Sequence, residues 1–236
     1  MNHFGVGLIL LTAAFIHGVA GFAFALFAVP LLIFFWPLRE VVPLIALLGG
    51  TINGLLLLSL RRHFHWRRIF SLLVGSIPGV LVGAVFLTKA PERELRIMLA
   101  ALLVGYGLWG LLNPSPRVKL GDRWGYFFGF LAGALGAALN TPGPPVVIYV
   151  TLKGWTKDEV KGALQGYFFL LAALIIGAHA FHGLITWEVF KRYLFCVPLV
   201  VGGLFLGHRF YYRLSLKVYL RVLYGILILA GFLAWP

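Results

Sequence analysis

The chain has 236 residues, 61% of them hydrophobic and 11% charged, a balance foreign to a water-soluble globular domain. Twenty Lys and Arg against seven Asp and Glu leave a formal charge of +13. Those cations fall almost wholly in loops, where positive-inside topology and anionic headgroups account for them, so nucleic acid is disfavoured as a partner. The lone cysteine, Cys196, rules out an internal disulfide and reads as a small buried hydrophobe.

The first charge-free run, residues 4–38, would measure about 52 Å as a helix. That is too long for one crossing of a ~30 Å hydrocarbon core and too short for two. Ala23-Phe24-Ala25 resembles a signal cleavage site, but Met1-Asn2-His3 carries no Lys or Arg and the apolar run continues to Trp36. The segment is therefore read as a retained membrane element. A pair of half-helices bending near Gly18–Gly21 fits its length. Runs 41–60, 69–88 and 97–116 suit single crossings.

Run 124–152 poses the first puzzle again and contains Asn140-Thr141-Pro142-Gly143-Pro144-Pro145. A continuous helix cannot pass through that hexapeptide, because three prolines lack N–H donors and clash with the preceding turn. Backbone freed inside hydrocarbon is tolerated only where protein buries it or where it lines a polar cavity. Runs 162–187, 193–208 and 222–236 complete eight hydrophobic elements, and no segment is long or polar enough for a soluble domain.

The chain also repeats itself. Gly18, Gly21 and Pro30 recur as Gly133, Gly136 and Pro145, 115 residues later; Trp66 matches Trp187, and Gly79 and Gly83 match Gly203 and Gly207. Two copies, 1–116 and 117–236, follow from this series. Charge bias chooses their topology. Eight full crossings would divide the cations nine against eleven, which decides nothing. With elements one and five re-entrant, Arg39, Lys89, Arg93, Arg96, Lys191 and Arg192 share one side and fourteen cations share the other, as the positive-inside rule expects. The expected fold is an all-α polytopic membrane protein of two inverted repeats, each a broken half-helix hairpin plus three transmembrane helices. Both termini would face the periplasm.

The second break carries the chemistry. Unwinding would expose N–H groups at Thr141 and Gly143 together with the Asn140 amide and the Thr141 hydroxyl. A half-helix starting near Pro144 would present a positive dipole end of about half an elementary charge. Together these make a neutral anion trap, the competing reading being a proline kink satisfied by neighbouring helices. Gly21 and Phe22 are the first-half counterpart, where close helix packing explains the glycine equally well. On the other spans, Gln165, Asn53 and Thr51 are candidate solute contacts or interhelical hydrogen bonds. The seven acids lie at loops or helix ends, so no carboxylate is placed to relay protons or hold a cation. His17 and His179 remain as the titratable groups at depth, candidates for proton coupling or plain core histidines. His63, His65, His182 and His208 lack the carboxylate or thiol company of a metal site, so neither metal nor cofactor is expected. The five serines include none in a Gly-x-Ser-x-Gly setting and no acid pair lies within a span, which argues against an enzyme.

Gly21-Phe22 leading to Val29-Pro30-Leu31, and Gly133–Gly136 leading to Asn140-Thr141-Pro142-Gly143-Pro144-Pro145-Val146-Val147-Ile148-Tyr149, resemble the TauE/SafE sulfite exporter family. Lys153-Gly154-Trp155, Ala163-Leu164-Gln165-Gly166-Tyr167-Phe168 and His65-Trp66-Arg67-Arg68 continue the resemblance over nearly the whole chain. One departure is Gly21-Phe22-Ala23-Phe24-Ala25, where such proteins often run several glycines. The resemblance implies a bacterial inner-membrane carrier for sulfite, thiosulfate or organosulfonates, with Gly21, Phe22, Asn140, Thr141, Gly143 and Gln165 at its solute site. The expectation is a permease that binds its anion between two broken helices near the midplane and works by alternating access. Its partners would be that anion and the bilayer, with a homodimer left open. The rivals are a passive anion channel and a non-transporting membrane scaffold.

Overall fold

The computed structural model describes residues 3–60, 66–112, 120–153, 157–210 and 216–236. The first half contains α1 (His3–Ala20), α2 (Phe24–Leu32), α3 (Leu38–Leu60), α4 (Trp66–Lys89) and α5 (Glu92–Leu112). The second contains α6 (Trp124–Leu139), α7 (Gly143–Leu152), α8 (Lys157–Phe181), α9 (Trp187–Phe210) and α10 (Leu216–Ala234). Among the described residues, α3, α4, α5, α8 and α9 are long and apolar enough to cross a membrane. Shorter apolar helices cover Phe4–Val19, Trp124–Leu139 and Leu223–Ala234.

Both over-long runs break. Helix α1 gives way at Gly21, whose φ of 78° only glycine adopts freely, and Ala23 follows at φ 87° before α2 begins. Helix α6 ends on Asn140 in the left-handed conformation (φ 53°, ψ 33°), with its N–H on the Gly136 carbonyl at 2.8 Å. Asparagine tolerates that conformation better than most side chains. Pro142 then precedes α7, whose second and third residues are Pro144 and Pro145, helix positions where a missing N–H costs nothing.

Each hairpin returns to where it started. Lys153, just after α7, donates to the Leu120 carbonyl (3.2 Å) and pairs with Asp122, just before α6. Val6 and Gly7 of α1 share a groove with Trp36, beyond α2, and with Lys191 and Arg192 of α9. Arg192 pairs with Glu40 and sits 4.6 Å from the Trp36 ring centroid. Arg39 caps the end of α4 through the Leu87 (3.1 Å) and Ala90 (2.9 Å) carbonyls, and Glu92 accepts the Leu38 N–H (3.1 Å). The starts of α3, α5 and α9 and the end of α4 therefore gather at one end of the bundle. Helix α5 leads ~31 Å away from that end before the second hairpin begins.

Packing follows an exchange of halves. Helix α1 lies on α9 and α6 on α4, while α3 pairs with α8 and α5 with α10. The α4–α6 seam is a double row of glycines. Gly75, Gly79 and Gly83 lie against the backbone of Tyr126, Phe130 and Ala134, and Gly129 and Gly133 against Leu72 and Ser76. Gly203 and Gly207 do the same for the Leu11 and Phe15 carbonyls, and Gly18 for Leu204 and His208. Two hydroxyl pairs obey the exchange as well: Ser76–Tyr167 between α4 and α8 (2.7 Å), and Thr51–Tyr193 between α3 and α9 (2.9 Å).

Helices α2 and α7 start at Phe24 and Gly143, and α3 and α8 at Leu38 and Lys157, each pair 119 residues apart, while α4 and α9 start at Trp66 and Trp187, 121 apart. The 115-residue spacing of the glycines differs from the first of these by about one helical turn.

Candidate anion site

The two breaks open on one cavity of about 60 Å³, room for a few water-sized groups or a small oxyanion head. The first break supplies His17, Phe22, Ala23, Phe24, Ala25 and Leu26, and the second Asn140, Thr141, Pro142 and Gly143. Helix α3 adds Ala46, Gly49 and Asn53, and α8 adds Phe168, Leu171, Ala172 and Ile175. Of the predicted residues, Phe22, Asn53, Asn140, Thr141, Gly143 and His17 line this space.

Its donors are helix beginnings. The first N–H groups of any helix lack intrahelical acceptors. In α2, the Phe24 N–H reaches His17 Nδ1 at 3.4 Å and the Phe27 N–H reaches the Ala23 carbonyl at 3.1 Å. Ala25 and Leu26 lie between them, and both line the cavity. In α7, Pro144 and Pro145 have no N–H, which leaves Gly143 as the cavity-lining donor. Two positive helix ends thus meet at one space, each equivalent to roughly half a charge.

Side chains add neutral polarity. Asn53 Oδ1 and Thr141 Oγ1 are buried and find no hydrogen-bond partner among the described residues. A buried polar atom left unpaired costs about 1–3 kcal/mol; the Thr141 hydroxyl can donate to an anion, whereas the Asn53 oxygen accepts and calls for a donor such as water. No Lys, Arg, Asp or Glu lines the cavity, and His17 is its one ionisable lining residue among those described.

The remaining predicted residues sit elsewhere. Gln165, fully buried on α8, donates its amide to the Gly21 carbonyl and so holds the first break from behind. Thr51 turns to the Leu47 carbonyl (3.1 Å) and Tyr193 and lies in a separate groove with Gly50, Gly54 and Phe169. Thr51 and Asn53, two positions apart on a helix, point about 200° from each other, so only Asn53 lines this cavity. His179 also lies outside the cavity. Its Nε2 donates to the Ala137 carbonyl (2.8 Å), one of the unpaired carbonyls at the end of α6. The Thr141 N–H, expected free, reaches the Leu135 carbonyl at 3.3 Å, because the Asn140 turn folds it back over α6.

The cavity walls escaped the sequence reading. Phe168, Leu171, Ala172 and Ile175 follow i, i+3, i+4 and i+7, one helix face, but apolar residues surround them on a membrane helix and hide that stripe.

A bundle with five apolar helices of membrane length among the described residues, and two helix breaks that meet at one small cavity, defines a multi-pass membrane protein. The family model described as Sulfite exporter TauE/SafE matches residues 6–234, and the chain belongs to that family. It is 27% identical over 174 residues to the "Probable sulfite/organosulfonate exporter TauE" of Cupriavidus necator, covering 72% of this chain and 68% of that protein. No solved structure gives a significant match.

Proposed function

We propose that this protein carries a small sulfur oxyanion or sulfonate across the membrane, bound in the cavity between its two helix breaks. The observation that carries this reading is the meeting of two helix beginnings with the unpartnered Thr141 hydroxyl, which can donate, and the Asn53 amide, in a space whose described lining residues carry no fixed charge. Backbone amides attract an anion there without the deep trap that a buried Lys or Arg would set, and release needs modest affinity. The name of the Cupriavidus relative supports the same substrate class.

The two halves are inverted repeats in this proposal. The first hairpin starts and returns beside Arg192, the second beside Lys153, which supports entry from opposite sides. The exchange of packing partners gives alternating access a natural axis, with α1·α9 and α6·α4 as equivalent arms rocking about the central α3·α8 pair.

Flux of sulfite into proteoliposomes tests the function, with Thr141→Val and Asn53→Leu testing the site. Each variant removes a polar atom facing the anion and is expected to slow flux about tenfold. Full-rate transport by both folded variants would move the site elsewhere.

A further inference from the structure

We infer that the site selects pyramidal sulfur oxyanion heads whose fourth position is a lone pair or an apolar group, and that it rejects both sulfate and amino-bearing sulfonates. This rests on the anion-site reading above and adds the substrate class. The cavity lining is chemically divided. Helix-start N–H groups and the unpartnered Thr141 hydroxyl come from the breaks, among otherwise mostly apolar side chains, and an amide comes from Asn53 on α3. Helix α8 contributes Phe168, Leu171, Ala172 and Ile175, a face without a polar side-chain atom.

The division runs against the exchange of halves. With α3 and α8 starting 119 residues apart, Asn53 corresponds to Ala172: where α3 offers an amide, α8 offers a methyl. Three oxygens of a sulfite or sulfonate head can face donors while the lone pair or carbon faces α8. Sulfate would press a fourth charged oxygen against that wall with no donor to meet it. An aminosulfonate brings an ammonium group, and no carboxylate is among the described residues lining the cavity, so a buried cation would stand alone.

Displacement of radiolabelled sulfite from the purified full-length protein tests this, with methanesulfonate, sulfate and 2-aminoethanesulfonate as competitors. Methanesulfonate should displace at concentrations about tenfold or more below those of sulfate and the amino compound. Ala172→Asn, which supplies the missing amide, should narrow the gap between methanesulfonate and sulfate severalfold. Sulfate or 2-aminoethanesulfonate competing as well as methanesulfonate would overturn the selectivity while leaving the site in place, provided Thr141→Val weakens all of them. Displacement unchanged in both Thr141→Val and Asn53→Leu, or no sulfite binding at all, would overturn the site and the selectivity together.

Discussion

The side-chain amide of Gln165 on α8 donates to the backbone carbonyl of Gly21, 144 positions earlier in the chain, at the point where α1 gives way. The interaction is wholly buried, and the Gln165 Oε1 atom has no partner among the described residues. Helix α8 therefore holds the first break in shape while its apolar face walls the cavity beside it.

Gln165→Leu keeps the side-chain bulk and removes the donor, leaving the Gly21 carbonyl unpaired in an apolar setting. The expected cost is about 1–3 kcal/mol of stability, with slower sulfite flux because the first helix beginning loses its position. Thermal unfolding in detergent and proteoliposome flux would report it. Wild-type values on both would show that the break holds itself.

The glycine seam between α4 and α6 makes a contrasting prediction. A Cβ at Gly79 would overlap the Phe130 carbonyl oxygen, whereas a Cβ at Gly105 on α5 meets nothing within 4 Å. Gly79→Ala should lower stability by about 1–3 kcal/mol through overpacking. Gly105→Ala should be neutral or slightly stabilising, since alanine favours the helix by about 1 kcal/mol. Equal melting temperatures for the two variants would mean that the seam does not pack this tightly.

Ala23 holds φ at 87°, a conformation that costs an L-residue roughly 1–2 kcal/mol and glycine almost nothing. Ala23→Gly should therefore raise the unfolding temperature or leave it unchanged, the relief being offset in part by the greater freedom of the unfolded glycine chain. A clear loss of stability would place the Ala23 methyl, which is buried, among the contacts that matter more than the strain.

Topology is open to a direct check, because Cys196 is the single cysteine and lies buried in α9. In a Cys196→Ala background, Pro37→Cys, Gly121→Cys and Trp235→Cys place thiols at exposed positions. An impermeant thiol reagent applied outside intact bacterial cells with a permeabilised outer membrane should label the substitutions at 37 and 235 and spare the one at 121. Labelling at 121 together with 37 would refute the inverted arrangement of the hairpins.

What was legible in the sequence is what short stretches of chain decide locally. Three prolines in six residues stop a helix in any surroundings, and 35 apolar residues fit neither one crossing nor two. The membrane class, the second break and its capacity for unpaired donors follow from those facts alone. The first break was harder to place, because its glycines serve packing as readily as turning. Only the structure shows Gly18 buried against α9 and Gly21 taking the turn.

Tertiary structure alone decided which groups share a space. Thr51 and Asn53 look equivalent on the page, yet one bonds Tyr193 and the other faces the cavity, because helix rotation separates them. His17 and His179 are equally deep, but only His17 lines the site. Nor could composition reveal the apolar face of α8 among so many other apolar residues. Backbone breaks arise from bonds and sterics within a few residues, whereas the rotation of a helix about its axis is set by the close packing of seams such as α4 on α6 and α1 on α9, and those contacts join residues far apart in the chain.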